Sequence, residues 1–325
     1  MCGIVGTFDY ATVEGNATRR VIESMSETLH HRGPDGEGVF ISGDRRIGLG
    51  MRRLAIIDPR HGTQPMFGAN GECLIFNGEI YNYPRLRRNL EAEGVAFRTH
   101  CDTEVILHLY RHYGTSLVER LDGMFAFALW DPREQELLIA RDRLGEKPLY
   151  WCDVGGCLIF ASEPKALLKH PATTASVNAA AIPSYLANLV VPSPDTLYEG
   201  IQKLPAGNIL RCSTKGVRTT SYWSPSAFRT LSSCSFEEAT NEVRRLLDDS
   251  VQERLMSDVP VGVLLSGGVD STTLVALLRE KANGLATFSV GFDGEPELDE
   301  RDEARWVAQH FGTAHHEVTL SQEEA

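Results

Sequence analysis

Residues 1–8 read MCGIVGTF and place a cysteine directly after the initiator methionine, at the head of a short apolar run typical of a buried strand. Removal of Met1 would leave Cys2 with a free α-amino group beside its thiol. One residue would then carry a nucleophile and a base whose pKa is roughly 7.7–8.0. The alternative is an ordinary cysteine without a chemical role, and position alone favours that alternative.

The composition is that of a soluble globular protein with room for two domains. Of the 325 residues, 42% are hydrophobic and 23% are charged. The formal net charge of −12 argues against a nucleic acid as the main partner, although backbone N–H groups could still bind a phosphate. No apolar run reaches the length of a membrane span, so we expect no membrane partner either.

The cysteines predict a reducing compartment, and the cysteines and histidines together argue against a zinc site. Seven cysteines without a paired framework, together with the lack of a signal peptide, predict a reduced, cytoplasmic protein. The sequence has no C-x-x-C pair and its histidines lack metal-ligand spacing, so a zinc site is not expected.

Residues 1 to about 165 combine many strand patterns with three helical ones. Helical periodicity covers residues 18–29, 84–93 and 103–113, whereas GMFAFALW (residues 123–130) is apolar at nearly every position. Such strands are covered on both faces, which predicts stacked sheets between helices. RLAIID (residues 53–58) also reads as a strand.

Three polar positions interrupt these apolar runs, and each has two interpretations. Arg53 could bind a carboxylate through two hydrogen bonds or be an ordinary surface arginine. Asn77 and Gly78 could form a hairpin turn or an oxyanion hole. Asp102 could cap the helix that follows it or hold a substrate ammonium. Taken singly, each position favours the structural alternative.

The second chemical feature is SGGVDS (residues 266–271), which follows an apolar strand pattern and precedes a helical one. A glycine-rich turn into a helix N-terminus forms an anion site, to which Ser266 and Ser271 add hydroxyl donors and Asp270 a Mg²⁺ ligand. It lacks the Gly-Lys-Ser/Thr ending of a Walker A loop, and an ordinary tight turn is the alternative. The strand and helix patterns from residue 261 onward alternate as βαβαβ, which predicts a doubly wound parallel sheet with a nucleotide at the carboxyl ends of its strands.

Together, these motifs resemble the glutaminase domain of class II glutamine amidotransferases, within the N-terminal nucleophile hydrolases, and most densely the glutamine-hydrolysing asparagine synthetases. The SGGVDS loop resembles the pyrophosphate loop of the ATP-pyrophosphatases. The implied fold is an α+β N-terminal nucleophile hydrolase, an αββα sandwich, followed by a partial α/β doubly wound domain of the ATP-pyrophosphatase type. The ordered motifs that carry the resemblance are MCGIVG, HRGPDG, RRLAIID, FNGEIYN, DTEVI, GMFAFALWD and RDRLGEKPLY.

The resemblance implies a role for each pocket residue. Cys2 attacks the side-chain amide of glutamine, and Asn77 and Gly78 stabilise the oxyanion. Arg53 binds the α-carboxylate and Asp102 the α-ammonium. The other implied glutamine contacts are the main chain of Leu54, Ala55, Ile56 and Ile57 and the carboxylate of Glu79. The implied ATP contacts are Leu265, Ser266, Gly267, Gly268, Asp270, Ser271 and Val290, with Mg²⁺ at Asp270.

Two departures from the family pattern stand out. Met51 occupies a position where relatives often carry histidine, which leaves the surroundings of the pocket open. Pro164 interrupts the usual Ser-Glu-x-Lys-Ala-Leu pattern, and proline suits the first turn of a helix.

The predicted domains are a glutaminase domain (residues 1–169), a linker and connecting segment (170–234) and the start of an ATP-binding domain (235–325). The sequence stops after a third parallel strand pattern, so we expect a fragment rather than a naturally short chain.

The predicted function is glutamine-dependent asparagine synthesis, in which ammonia released at Cys2 amidates aspartate activated by Mg-ATP as β-aspartyl-AMP. A homodimer is the expected assembly. The rivals are an amidotransferase acting on another carboxylate (a peptide, polysaccharide or antibiotic precursor), one making aminosugars or purine precursors, a glutaminase alone if the chain is truly this short, and a non-catalytic scaffold. SGGVDS disfavours the aminosugar and purine enzymes, and the intact pocket residues disfavour the scaffold.

Overall fold

The computed structural model describes residues 1–228, 233–281, 284–292 and 299–321. The chain divides into two compact units, Met1–Thr230 and Leu231–Ala325. In those described ranges, no helix has both the length and the apolar character needed to cross a membrane.

The first unit contains two antiparallel six-stranded sheets. Its strands are β1 (Gly3–Asp9), β2 (Gly36–Ile41), β3 (Ile47–Arg53), β4 (Met66–Phe67), β5 (Cys73–Ile80), β6 (Gly123–Asp131), β7 (Glu136–Arg141), β8 (Tyr150–Val154), β9 (Cys157–Ala161), β10 (Gln202–Lys203), β11 (Asn208–Ser213) and β12 (Gly216–Ser221). One sheet has the order β10-β8-β9-β1-β3-β2 and the other β12-β11-β7-β6-β5-β4.

Helices cover the outer face of each sheet. They are α1 (Arg19–Glu27), α2 (Tyr83–Ala92), α3 (Asp102–Tyr113) and α4 (Pro164–Leu167). The unit also contains α5 (Ile182–Asn188), none of whose residues is buried, and 3₁₀ turns at His30–Arg32, Gly114–Arg120, Ala179–Ala181 and Pro225–Phe228. A buried apolar cluster joins α1 and α4 to the first sheet, a second fills the space between the sheets, and a third joins α2 and α3 to the second sheet. The predicted αββα sandwich is confirmed.

Burial explains why the strands read as continuous apolar runs. All seven residues of β1 and the last seven of the nine residues of β6 (residues 125–131) are buried. The reason is that each sheet is covered by helices on one face and by the other sheet on the opposite face. Phe8 and Trp130 meet edge to face between the two sheets, with ring centroids 5.1 Å apart.

Two local expectations were wrong. Residues 54–57 do not continue the strand, since β3 ends at Arg53. The chain leaves the sheet there because side chains satisfy its backbone groups: the Ala55 N–H donates to Asp35 Oδ2 at 2.9 Å, and the Arg53 guanidinium binds the carbonyls of residues 57–59. Asn77 and Gly78 do not form a turn either, because both lie inside β5.

The segment at residues 170–234, predicted as a linker and connecting segment, contributes three strands to the sheets of the first unit. β10 pairs with β8, β11 pairs with β7, and β12 extends the sheet beyond β11. Pro164, in contrast, starts α4 in the first helical turn, as expected for proline.

The second unit is a three-stranded parallel sheet with alternating helices. Its elements are α6 (Phe236–Glu253), β13 (Gly262–Leu264), α7 (Val269–Arg279), β14 (Ala286–Phe292), α8 (Arg301–Phe311) and β15 (Ala314–Leu320), and the strand order is β13-β14-β15. A capping box starts α6: the Ser235 hydroxyl accepts the Glu238 N–H, and the Glu238 carboxylate accepts the Ser235 N–H. Burial alternates along β14: Thr287 and Ser289 face the core, whereas Phe288 and Val290 are 40% and 46% exposed.

Candidate active site

A cavity of about 260 Å³ lies at the amino-terminal end of β1, between the loop after β3, the end of β5 and the start of α3. Its size suits a ligand no larger than an amino acid. Eight predicted pocket residues line it: Cys2, Arg53, Leu54, Ile56, Ile57, Asn77, Gly78 and Glu79, and a ninth, Asp102, closes it from α3. Ala55 is not part of the lining and points its N–H at Asp35 instead.

The Cys2 thiol is held against the loop after β3. The Leu54 N–H donates to Sγ at 3.3 Å, and the thiol lies 3.6 Å from the Leu54 carbonyl oxygen. Burial raises the pKa of the Cys2 thiol, and the Leu54 N–H, the amino terminus and Arg53 oppose that rise. Burial also lowers the pKa of the Met1 amino terminus.

Asn77 is buried with both polar atoms of its side chain unsatisfied. It is 1% exposed, and neither Oδ1 nor Nδ2 has a hydrogen-bond partner within the described ranges of the chain. An unpaired buried amide costs roughly 1–3 kcal/mol, so its presence in the cavity wall needs a cause outside the folded chain itself. The Nδ2 donor is therefore available to an oxygen of a ligand in the cavity.

Gly78 cannot carry a side chain at its place in β5. A Cβ there would lie 2.2 Å from the Met124 carbonyl oxygen and 2.7 Å from the Cα of Phe125 on β6. The close approach of the two strands leaves the Gly78 backbone at the cavity surface, beside Asn77.

Arg53 and Asp102 supply opposite charges to the cavity. Arg53 is 8% exposed and donates three hydrogen bonds to the carbonyls of Ile57, Asp58 and Pro59, at 2.9–3.1 Å. A guanidinium has five N–H donors, and these three bonds, the ones found among the described residues, leave two donors for a ligand carboxylate. Asp102 is the first residue of α3 and Cys101 is its N-cap, so the capping interpretation of Asp102 was wrong.

The Asp102 carboxylate is enclosed at the end of the cavity. Its Oδ2 accepts the Ile80 N–H at 2.9 Å, and the Cys101 thiol lies 3.4 Å from Oδ1. Burial raises the pKa of Asp102 to about 6, against the hydrogen bonds that lower it. A carboxylate with this cost of ionisation gains most from a cationic partner, and an α-ammonium is one.

In the second unit, the SGGVDS loop leads from β13 into α7. Gly267 has φ +80°, and a Cβ there would lie 2.5 Å from the Cβ of Glu303, so this position also requires glycine. The hydroxyls of Ser266 and Ser271 are 3.1 Å apart, and the Ser271 hydroxyl donates to the Gly268 carbonyl at 3.2 Å. Gly268 is the N-cap of α7, and no side chain among the described residues caps the first N–H groups of this helix.

The other residues predicted for the ATP site lie around this loop. Leu265 is buried and is fixed to β14 by two hydrogen bonds, from its N–H to the Phe288 carbonyl (2.8 Å) and from the Ser289 hydroxyl to its own carbonyl (2.6 Å). Val290, two residues after Phe288 on β14, is half exposed. Asp270 is exposed in the first turn of α7.

The sandwich and its cavity define the class of protein: the chain belongs to the glutamine amidotransferase domain family, whose model matches residues 1–223. Residues 242–325 match the asparagine synthase family model. Asparagine synthetase [glutamine-hydrolyzing] 1 of Bacillus subtilis is 38% identical over the whole of this chain and 51% of its own length. Asparagine synthetase B [glutamine-hydrolyzing] of Escherichia coli is 37% identical, over the whole chain and 55% of its own length. The chain therefore spans about half the length of these curated relatives.

Two solved structures support the fold. Glutamine phosphoribosylpyrophosphate amidotransferase from B. subtilis, complexed with ADP and GMP, aligns with a TM-score of 0.52 and 18% identity, over 97% of this chain and 65% of that one. A structure described as the allosteric regulatory enzyme of purine biosynthesis aligns with a TM-score of 0.54 and 16% identity, over 99% of this chain and 90% of that one. The predicted N-terminal nucleophile hydrolase fold is confirmed.

The cavity also contains residues to which the sequence patterns gave no role. Cys101 brings a second thiol, and Lys147 brings a cation that is 5% exposed. Burial lowers the pKa of Lys147, and the Glu79 and Glu146 carboxylates oppose that change. The one sequence signal for Lys147 is its place in the motif RDRLGEKPLY (residues 141–150), which connects β7 of one sheet to β8 of the other.

Proposed function

We propose that this chain hydrolyses glutamine to glutamate and ammonia, with Cys2 as the nucleophile. The observation that carries the proposal is the cavity itself, which joins a thiol, an unsatisfied buried amide, a buried cation and a buried carboxylate around a space of about 260 Å³. Glutamine carries the matching groups: an α-carboxylate for Arg53, an α-ammonium for Asp102 and Glu79, and an amide carbonyl for the thiol.

The proposed reaction proceeds in two halves. Once Met1 is removed, the α-amine of Cys2 accepts the thiol proton as Sγ attacks the amide carbon of glutamine. The negative oxygen is stabilised by Asn77 Nδ2–H and the Gly78 N–H, and the proton then passes to the departing nitrogen, so that ammonia leaves and a thioester remains. Water, deprotonated by the same amine, attacks the thioester and releases glutamate and the free thiol.

The test of this proposal is the release of glutamate from glutamine by the purified chain, with asparagine as the matched control substrate. Asparagine offers the same α-groups, but its amide is one methylene closer to them, so the carbonyl would not reach the thiol and the oxyanion donors together. We expect glutamate from glutamine and little aspartate from asparagine.

For the second unit, we propose binding of ATP with Mg²⁺ at the loop of residues 265–271. The groups present fit a polyphosphate, since the glycine backbone, two hydroxyls and an uncapped helix N-terminus all offer donors. Bound ATP would supply the adenylyl group that activates an acceptor carboxylate. Within the described residues no group of three His, Cys, Asp or Glu side chains could hold a metal alone, so Asp270 would share Mg²⁺ with phosphate oxygens and water.

The whole protein is proposed to be a glutamine-dependent asparagine synthetase. The asparagine synthase match and the names of the relatives favour aspartate as the acceptor, activated as β-aspartyl-AMP and amidated by ammonia with loss of AMP. Another carboxylate as acceptor has no observation in its favour. Location in the cytoplasm and assembly as a homodimer stay predictions.

The pH dependence of glutamine binding tests the role of Asp102. Its pKa of about 6 means that the carboxylate is ionised above that pH and neutral below it, so affinity for the α-ammonium is lost as pH falls through 6. In a Cys2→Ala protein, which binds without turnover, we expect the Kd for glutamine to rise about tenfold for each pH unit below 6 and to be constant between 7 and 8. Calorimetric titration measures it.

Asp102→Asn is the control for that experiment. We expect its Kd for glutamine at pH 7.5 to be roughly 10- to 100-fold higher than that of the protein with Asp102 intact, which is the effect of losing a charged hydrogen bond. This Kd should not depend on pH. Because the folded-state pKa is raised, ionisation of Asp102 costs stability as pH rises through 6, so Asp102→Asn should unfold at an equal or higher temperature at pH 8. A pH profile that survives this substitution would exclude Asp102 as its source.

Thermal unfolding with and without Mg-ATP tests the second unit. We expect the nucleotide to raise the unfolding temperature of the wild-type chain but not that of Gly267→Ala, whose new Cβ would displace the loop from Glu303. Gly284→Ala is the matched control, because it imposes the same backbone strain (φ +71°) in the same unit with nothing within 4 Å of the new Cβ. If Mg-ATP raised the unfolding temperature equally in the wild type, Gly267→Ala and Gly284→Ala, ATP would bind at a site other than this loop.

A further inference from the structure

A four-residue ionic cluster lies behind the nucleophile, outside the cavity. Glu163 is its centre: Oε1 accepts Arg32 Nη1 at 2.9 Å and lies 3.0 Å from His31 Nε2, and Oε2 lies 3.0 Å from Lys165 Nζ. Arg32 is the buried member, with 8% of its side chain exposed, whereas His31 and Lys165 are 53% and 51% exposed.

Arg32 connects this cluster to the nucleophile. Its Nε donates to the main-chain carbonyl of Cys2 at 2.9 Å. The carbonyl needs such a partner because Cys2 precedes β1, and the ladder with β3 begins only at Gly3. After removal of Met1, Cys2 would be the end of the chain, where backbone order depends on contacts of this kind.

Ser162, the residue before Glu163, binds the backbone of β1 two residues after Cys2. Ser162 is fully buried, its hydroxyl accepts the Ile4 N–H at 3.0 Å, and its own N–H donates to the Ile4 carbonyl at 2.9 Å. Ser162 therefore fixes β1 directly at Ile4, and Glu163 fixes Cys2, the residue before β1, through Arg32.

We propose that Glu163 is a positioning residue for glutamine hydrolysis, which locks the Arg32 guanidinium on the Cys2 carbonyl and so fixes the direction of the thiol. The proposal rests on the proposed glutaminase function. A buried guanidinium without a counter-charge would turn toward water, and the chain end would move with it. Displacement of a reacting atom by about 1 Å is enough to cost on the order of 10²-fold in rate.

The charge of Glu163 is constant over the pH range in which enzymes of this kind are assayed. Desolvation pushes its pKa upward, but hydrogen bonds from Arg32, Lys165 and His31 outweigh it and hold the pKa at about 2. The contribution of Glu163 should therefore be the same at pH 6 and pH 9, unlike that of a group that takes part in proton transfer.

The first test compares glutamine hydrolysis by Glu163→Gln and Glu163→Ala. We expect kcat to fall about tenfold in Glu163→Gln, which keeps a hydrogen-bond acceptor without the charge, and about 100-fold in Glu163→Ala. KM for glutamine should stay within about threefold, since no contact of the cavity is removed.

Two control variants separate positioning from general stability. Lys165→Ala removes a partner of Glu163 that does not contact Arg32 or Cys2, and its kcat should be that of the wild type. Glu72→Gln disrupts another buried carboxylate, which binds Arg111 at 3.1 and 3.2 Å in the same unit, so it should lower the unfolding temperature without a change in kcat. A folded Glu163→Ala protein with wild-type kcat and KM would overturn the proposal.

A second measurement does not depend on turnover. Alkylation of Cys2 by iodoacetamide, followed by mass spectrometry, should be several-fold faster in Glu163→Ala than in the wild type or in Glu72→Gln, because the thiol is no longer fixed against Leu54. Equal rates in all three proteins would overturn the positioning role. If the wild type releases no glutamate but the rates differ, the proposed glutaminase function fails and the positioning role stands.

Discussion

Replacing Cys2 by alanine is expected to abolish glutamate release from glutamine, with a loss of at least about 10⁴-fold, the scale seen when the nucleophile of a covalent mechanism is removed. The alanine side chain still permits removal of Met1, so the α-amine remains and only the thiol is missing. Glutamine should still bind, because Arg53 and Asp102 are intact in the cavity wall.

Cys101→Ala is the control that identifies the reacting thiol. Cys101 lines the same cavity, but burial, followed by the nearby Asp102 carboxylate, raises its pKa to about 12, so it stays protonated. Its replacement should leave kcat within a few-fold of the wild type. If Cys2→Ala retained normal glutamate release and Cys101→Ala lost it, the nucleophile would have been assigned to the wrong thiol.

Asn77→Ala is expected to have the second largest effect. Removal of one oxyanion donor typically lowers kcat 10²- to 10³-fold, or about 2.7–4 kcal/mol, and leaves KM for glutamine nearly constant because the donor acts on charge that develops during the reaction. The protein should lose no stability, since neither polar atom of Asn77 has a partner in the described structure. Steady-state kinetics and thermal unfolding of the same preparations measure both quantities.

Asn82→Ala is the matched asparagine control. Asn82 is also buried, but its Nδ2 donates to the Arg120 carbonyl at 2.8 Å and to Asp122 Oδ2 at 3.1 Å. We expect the opposite result there, with lower stability and an unchanged kcat. If Asn77→Ala and Asn82→Ala both lowered the stability of the protein and neither changed kcat, Asn77 would have a structural role.

The architecture was predictable from the sequence because two strong local signals, continuous apolar runs and a helix capping box, mark its strands and the start of one helix. Continuous apolar runs such as residues 123–130 could only be strands covered on both faces, and the Ser235–Glu238 capping box marked the start of α6. The strand predicted over residues 54–57 failed because the hydrogen bonds that release this segment from the sheet come from side chains, Asp35 and Arg53, which periodicity does not describe.

The composition of the cavity was predicted through the resemblance rather than from spacing. Asn77 and Gly78 looked like a turn, and only their place inside β5, against β6, brings them to the cavity wall. The Glu163 cluster was not predicted, although His31 and Arg32 lie in the HRGPDG motif and Glu163 and Lys165 in the Ser-Glu-x-Lys-Ala-Leu pattern. Glu163 and Arg32 are 131 positions apart, and the long-range packing of α4 against β9 and α1 brings them together.

The most direct test of the central claim uses the purified chain after mass spectrometry has shown that it begins at Cys2. Incubated with glutamine alone, it is predicted to release glutamate and ammonia in equal amounts, without ATP or an acceptor. Failure to release glutamate by a folded preparation with that amino terminus would contradict the assignment of the cavity as a glutaminase site.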